Sequence, residues 1–193
     1  MRFEKGHKAA TRRHILEAAS KCFRSEGVSG AGISGIMGAA GLTNGAFYAH
    51  FDSKDALVRE AVSSALAERQ QSLEENVEMG AGLEEVIRSY LNQAHRADPS
   101  CGCPSAALLP EIARQSEPTR TAYEHGLNSF VSTLAALLPE ADSSRADRRA
   151  TAIFGLMVGT LQLARAVPSI ARAEQILEAG VEAALLLAGE PCD

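Results

Sequence analysis

Tryptophan is absent from this chain and aromatic residues make up only 5% of it, so any core must be aliphatic. Alanine, leucine, isoleucine and valine supply it with few β-branched runs, a composition that predicts helix nearly throughout. No apolar run reaches the about 18 residues a membrane-spanning helix needs, so no such span is expected. The N-terminus is charged and lacks an apolar signal core, so the chain is expected to stay in the cytoplasm. In that compartment the four cysteines (Cys22, Cys101, Cys103 and Cys192) are expected as reduced thiols rather than as a disulfide framework. Internal repeats and low-complexity tracts are also missing. What remains is 193 residues, enough for one sizeable core or for a small head on a larger body.

Charge separates those two parts. The whole chain is net −5, from 19 basic and 24 acidic residues. Residues 1–54 reverse the sign. Eight cations (Arg2, Lys5, Lys8, Arg12, Arg13, Lys21, Arg24, Lys54) oppose four acids (Glu4, Glu17, Glu26, Asp52), and the remainder is correspondingly more acidic. A basic head on an acidic body is what polyanion binding at one end produces.

Residues 11–57 carry the most legible pattern. After a polar stretch over 2–8, expected as a mobile arm, the periodicity predicts a helix over 8–25. Its apolar face is Ile15, Ala19, Cys22 and Phe23, and Gly27 lies just past its end. A second helix over 33–40 offers Ile33, Ile36, Met37 and Ala40 to the same core. In GLTNGAFYAHF, Gly41 stops that helix and Thr43 caps a third over 43–50, the arrangement of a helix-turn-helix. Asp52 or Ser53 then caps a long helix to about residue 79, with Leu57, Val58, Ala61, Ala65 and Leu66 as its stripe.

This segment resembles the DNA-binding head of the tetracycline-repressor (TetR) family over about the first 57 residues. The resemblance implies an all-α fold with a three-helix helix-turn-helix domain at 1–54 and a six-helix ligand-sensing and dimerisation domain at 55–193. It also implies a homodimeric DNA-binding transcriptional regulator, a repressor released from a palindromic operator by a small-molecule or thiol-reactive inducer. Thr43, Asn44, Gly45 and Ala46 would open the recognition helix. Asn44 suits adenine, the Ala46 methyl suits a thymine methyl, and Gly45 lets the backbone approach closely. Positions matching Tyr48, His50 and Lys54 contact phosphates in the family, which sets register rather than sequence preference. Phe47 and Phe51 read as core. One stretch departs from the family pattern. Ala31-Gly32-Ile33-Ser34-Gly35 replaces the usual Ser or Thr cap and the basic first turn, and Gly38 follows. Asn44 also stands where lysine is frequent, so DNA binding should be weaker and less salt-sensitive than is usual.

Beyond the break at 80–82, helices are predicted over 82–98, 104–115, 117–139, 144–167 and 169–188. Asp98-Pro99 and Pro168 act as stops. The family encloses a small-molecule pocket in this region. Tyr90, His95, Cys103, Leu108, Ile112, Tyr123, Leu127, Phe130, Phe154, Met157 and Gln162 are the residues here that would line one. Gly155 and Gly159, four apart, permit close helix approach. Ile176, Leu177, Gly180, Val181, Ala184 and Leu185 make the stripe expected to join them in a dimer interface.

Cys101-Gly102-Cys103-Pro104 stands apart from this pattern. The phrase GCPSAALLPEIARQ resembles a TetR subgroup, some of whose members sense oxidants or electrophiles through cysteine. Cys103 sits before Pro104 at a helix start, where the dipole favours thiolates in general, and Cys101 is near enough to act as its resolving partner. Two inert residues packing a loop is the alternative. A metal site from Cys101, Cys103 and His95 lacks the paired spacing of zinc sites. A thiol enzyme using Cys103 with His95 or His125 lacks any supporting motif, so no cofactor, metal or catalytic residue is assigned. A helical ligand-binding module with weak DNA affinity is the remaining alternative.

Overall fold

A computed structural model describes residues 2–139 and 142–189 of the chain. Among the described residues there are nine α-helices, one 3-10 helix and no strand. The helices are α1 (Arg2–Gly30), α2 (Ile33–Ala39), the 3-10 helix (Asn44–Ala49), α3 (Lys54–Glu78), α4 (Leu83–Tyr90) and α5 (Gln93–Ala97). They continue with α6 (Pro104–Ile112), α7 (Glu117–Ala136), α8 (Ser143–Ala166) and α9 (Ile170–Ala188). No described helix is long and apolar enough to cross a membrane. Cys192 lies outside the described residues.

Two apolar clusters organise the molecule. The first gathers Ile15, Phe23, Ile36, Met37, Phe47 and Phe51 from the head with Leu57, Val58, Val62 and Leu66 of α3. Leu108 and Ile112 of α6 complete it. The head's core therefore extends past residue 54 into the body, and α6 packs directly on α1. The second cluster lies among α3, α4, α7, α8 and α9, and its largest buried members include Tyr90, Ile87, Leu134, Ile153, Met157 and Leu161.

Several local expectations need correction. The 2–8 stretch is not an arm but the first turns of α1, because nothing before Gly27 breaks the helix. Gly27 itself takes φ 79° and ψ 161°, outside the helical region, and kinks the chain where sequence placed the end. The helix expected over 82–98 is two helices. Asn92 divides them: its Nδ2 donates to the Ser89 carbonyl at 2.7 Å while its Oδ1 accepts the His95 N–H at 2.8 Å. It closes one helix and caps the next. The α2 terminus follows expectation more closely. Gly41 (φ 65°) and Leu42 return their N–H groups to Gly38 at 2.9 Å and Met37 at 2.8 Å. That is the paired bonding of a Schellman stop.

Candidate functional site

The turn after Gly41 delivers a 3-10 helix rather than an α-helix, and Thr43 caps it with no side-chain hydrogen bond. Its position is fixed from below. Phe47 is fully buried and Phe51 3% exposed, with their rings stacked 5.8 Å apart. Arg12 braces the far end by an ion pair to Glu60, a 3.4 Å bond from Nε to the His50 carbonyl, and a guanidinium 4.6 Å above the Phe51 ring. Sequence reasoning counted Arg12 only as charge. Its spacing from Phe51 and Glu60 becomes meaningful once α1 and α3 cross.

Held this way, Thr43, Asn44, Gly45 and Tyr48 face solvent together, Tyr48 being 72% exposed. Ala46 is half-buried against the head core, so less of its methyl is free for a base than expected. His50 is half-buried with Nδ1 enclosed and unpartnered. Burial first, then Lys8 and Arg12, push its imidazole below the usual 6.5, which favours the neutral ring at pH 7. Lys54 is engaged within the protein: its Nζ donates to the Val28 carbonyl at 2.6 Å, leaving two donors for a phosphate. Lys8, Arg13 and Lys21 are exposed on α1. Gly32 caps α2 without a side-chain bond, and its first turn, Ile33-Ser34-Gly35, carries no basic residue, as the sequence implied.

Directly behind the head, the tail of α1 is gripped by the body. Arg24, only 8% exposed, donates from Nη1 to the Gly102 carbonyl at 3.3 Å. The Ser29 N–H meets Glu111 Oε2 at 3.2 Å. The φ of 79° at Gly27 is what favours glycine there, and a Cβ would also come within 2.5 Å of the movable Glu111 Oε1. The Cys101–Pro104 loop and α6 are thus in contact with the head.

Within that loop Cys101 is exposed and Cys103 is 3% exposed at the N-cap of α6. The Cys103 N–H donates to His95 Nε2 at 2.9 Å, and His95 Nδ1 donates to the Tyr90 carbonyl at 2.7 Å. A neutral imidazole satisfies both bonds, with its proton on Nδ1. Burial lowers His95 to about 4, with Arg69 and Arg165 acting in the same direction. His95 is therefore a fixed strut under Cys103. Its bonding leaves no free nitrogen for a metal or for proton abstraction. Among the described residues no group of three or more His, Cys, Asp or Glu could hold a metal ion. His125 is exposed on α7 in a groove that does not include Cys103.

The expected pocket lining does not converge on one space. Leu108, Ile112 and Tyr123 belong to the head-side cluster, while Tyr90, Cys103, Leu127, Phe130, Phe154 and Met157 belong to the body cluster. Gln162 donates to the Ala106 carbonyl and ties α8 to α6. The open spaces lie elsewhere. A groove of about 390 Å³ runs between α3 and α7 beside Gln70 and Gly126. A cavity of about 220 Å³ is lined by Arg69, Ser72, Asn76, Ser89, Tyr90 and Phe130, among others. Only Tyr90 and Phe130 of the expected lining reach it. The dimer stripe also needs correction. Leu177, Gly180, Val181, Ala184 and Leu185 are buried within the chain's own core, Gly180 against Thr160. A second copy cannot reach them in this conformation. Gly155 and Gly159 stay exposed with open space above, and Ile176 is half-buried.

A basic head with a solvent-facing recognition turn, joined through α1 and α6 to a larger helical body, has the build of a one-component DNA-binding regulator. Comparison with known proteins agrees. Residues 15–61 match bacterial regulatory proteins of the tetR family, and residues 79–179 match the C-terminal domain of LmrA/YxaF-like transcriptional regulators. The chain belongs to the TetR family and is a DNA-binding transcriptional regulator. It is 27% identical over 161 residues to the HTH-type transcriptional regulator LmrA of Bacillus subtilis, covering 79% of this chain and 85% of that protein. The HTH-type transcriptional repressor NemR of Escherichia coli is 28% identical over 133 residues, covering 66% of this chain and 67% of NemR. Among solved structures, reduced NemR superposes with a TM-score of 0.74 at 22% identity, covering 91% of this chain and 95% of that one. A TetR-family regulator from Cytophaga hutchinsonii reaches 0.76 at 21% identity, covering 97% and 98%. At these identities the superpositions speak for the fold alone.

Proposed function

We propose that the chain acts in the cytoplasm as a homodimeric repressor on a palindromic operator, and that its DNA affinity is switched from the loop carrying Cys101 and Cys103. The observation that carries this reading is the direct grip of that loop on the head, through Arg24 and the Gly102 carbonyl beside Glu111 and Ser29. A group added to the Cys103 sulfur has no free volume at a position 3% exposed. The start of α6 must then shift, and the tail of α1 with it. An activated alkene reacting there forms a carbon–sulfur bond as its C=C π bond breaks, and the thiol proton ends on the neighbouring carbon. Cys101, exposed two residues away, is met first; with a peroxide as the two-electron oxidant, a Cys103 sulfenic acid would condense with the Cys101 thiol to a disulfide and water.

Dimerisation is assigned to the outer face of α8 and α9. Gly155, Gly159 and Leu163 are exposed at four-residue spacing on α8, and Ile170, Leu186 and Leu187 are exposed on α9. Exposed leucine and isoleucine beside small residues suit close packing of a second copy. Asn44, with Thr43 and Gly45 beside it, would read bases, and Tyr48, His50 and Lys54 would hold phosphates.

Selection of bound duplexes from a random pool tests the reading. A palindrome should emerge, and Asn44→Ala should relax preference at one position of each half-site by about 1–3 kcal/mol. Cys103→Ser should retain DNA binding and lose release by thiol reagents. Enrichment of no sequence, or unchanged release in Cys103→Ser, would count against the operator or the thiol step respectively.

A further inference from the structure

Duplex DNA is a dense polyanion, with one negative charge per about 1.7 Å of its axis, so a protein that binds it needs cations at the contact. The helix-turn-helix of this chain supplies few. Residues 25–53, which hold α2, the turn and the 3-10 helix, contain no lysine or arginine and include the acids Glu26 and Asp52. Lys54, directly after them, already donates to the Val28 carbonyl. Charge is concentrated instead at the start of α1, where residues 2–14 hold Arg2, Lys5, Lys8, Arg12 and Arg13 against Glu4.

That end of α1 stands clear of the head's core. Ile15 is the first residue of the helix to join the core, so about 20 Å of helix precedes it at about 1.5 Å per residue. Residues 6–10 are exposed. Helical register aims the charge they carry. Phe23, Ala19 and Ile15 form the buried face of α1, and Arg12 and Lys8 continue it toward the N-terminus at the same three- and four-residue spacing. The face that is apolar inside the head is therefore basic beyond it. Arg12 shows where this face looks. It reaches the His50 carbonyl at 3.4 Å and lies 4.6 Å above the Phe51 ring, at the end of the recognition element that presents Tyr48. Its Nε and Nη2 are engaged there, and its Nη1 has no bond among the described residues. Lys8, one turn further out, also acts on the His50 imidazole and has no ion pair among the described residues.

We propose that the start of α1 is a second DNA-contacting element, in which Lys8 and Arg12 grip the phosphate backbone beside the recognition turn and supply the ionic attraction that residues 25–53 lack. Such contacts set affinity and register, and the choice of bases stays with Asn44 and its neighbours. The proposal rests on DNA binding by the head, and not on a palindromic operator or on the thiol switch.

The test measures DNA affinity of the full chain by fluorescence anisotropy between about 50 and 200 mM sodium chloride, on a duplex pool of random sequence and on a duplex selected from it. Arg12 also braces the head, so Lys8 carries the test. Each phosphate neutralised contributes about 0.9 to the slope of log affinity against log salt. Lys8→Ala should make the slope shallower by about 0.9 per bound protomer and weaken both duplexes by the same factor. Lys8→Arg should keep the parent's slope. Lys21→Ala removes an equal charge from an exposed site on another side of α1 and should leave the slope unchanged. Lys8→Ala should keep the parent's Tm, because the site is exposed and alanine favours helix. Ethylation of single phosphates then locates the contact. Ethyl groups beside the bases that Asn44 reads should weaken the parent at some phosphates where Lys8→Ala is indifferent. An unchanged slope in Lys8→Ala, an equal loss in Lys21→Ala, or a changed ratio between selected and random duplexes would overturn the proposal. Binding of neither duplex by the parent would overturn it together with the assignment of the head. Selection of a sequence without a palindrome would count against the operator reading alone, since the slope is still measured on both duplexes.

Discussion

The head and the body meet at Arg24, and their interiors differ on either side of it. The head is filled by Ile15, Phe23, Ile36, Met37 and Phe47, and among the described residues its buried polar side chains are Ser20 and Arg24. The body encloses Tyr90, Ser105 and Thr119 outright, and packs His95 and Arg165 into the joint through hydrogen bonds to backbone groups. An apolar core resists small changes of charge and holds a recognition surface in one geometry. A polar interior responds to a proton, an anion or a modified thiol, because low dielectric magnifies each. The head has the first kind of interior, and the body, in which the proposed switch lies, has the second.

The largest test of that contrast is a pair of adjacent aromatics. Phe47→Ala removes a fully buried ring and should cost about 3–5 kcal/mol in chemical denaturation, with DNA binding lost. Tyr48→Ala, at a site 72% exposed, should leave stability within about 0.5 kcal/mol and weaken DNA binding alone. Equal destabilisation by both would mean that the Phe47 ring does not anchor the head's core.

Gly27→Ala comes next, because it combines a φ of 79° with an approach of 2.5 Å to Glu111. A loss of about 1–3 kcal/mol is expected on thermal unfolding. Inducer response should fall as well, because the grip of α6 on α1 is displaced.

His95 sharpens the comparison through pH. Its folded value is depressed from 6.5 to about 4, so its contribution is complete above about pH 6.5 and is lost as pH falls toward 4. Between pH 7 and pH 5 the chain should lose about 2 kcal/mol from this group. His95→Gln should flatten that part of the profile, and a profile identical to the parent's would assign the acid sensitivity elsewhere. The smallest effect belongs to the uncapped α2. Gly35 is exposed with open space at its Cβ position, so Gly35→Ala should stabilise the head by about 0.5–1 kcal/mol.

Particular residues show why some of this could be read in advance. Gly41, the Ile33-Ile36-Met37 face and the Ser53 cap act within a few residues of themselves, and all appear where the sequence placed them. Asn92 misled because an asparagine inside an apolar-periodic segment looks like a solvated helix residue, whereas its side chain here serves two helix ends. The α9 stripe reads as apolar in the sequence, and the chain's own core buries most of it, Gly180 against Thr160 of α8. Periodicity shows which face is buried, not whether α8 or a second copy buries it.

The sequence by itself determined the helical class, the helix-turn-helix and the charge division, because propensity, caps and composition are local or additive quantities. Only the tertiary structure decided that Lys54 reaches Val28, that Arg24 meets Gly102, and that Arg69 and Tyr90 share a cavity wall. Those partners lie far apart along the chain. Their encounter depends on how α1, α3, α4 and α6 cross, which no short window of residues encodes.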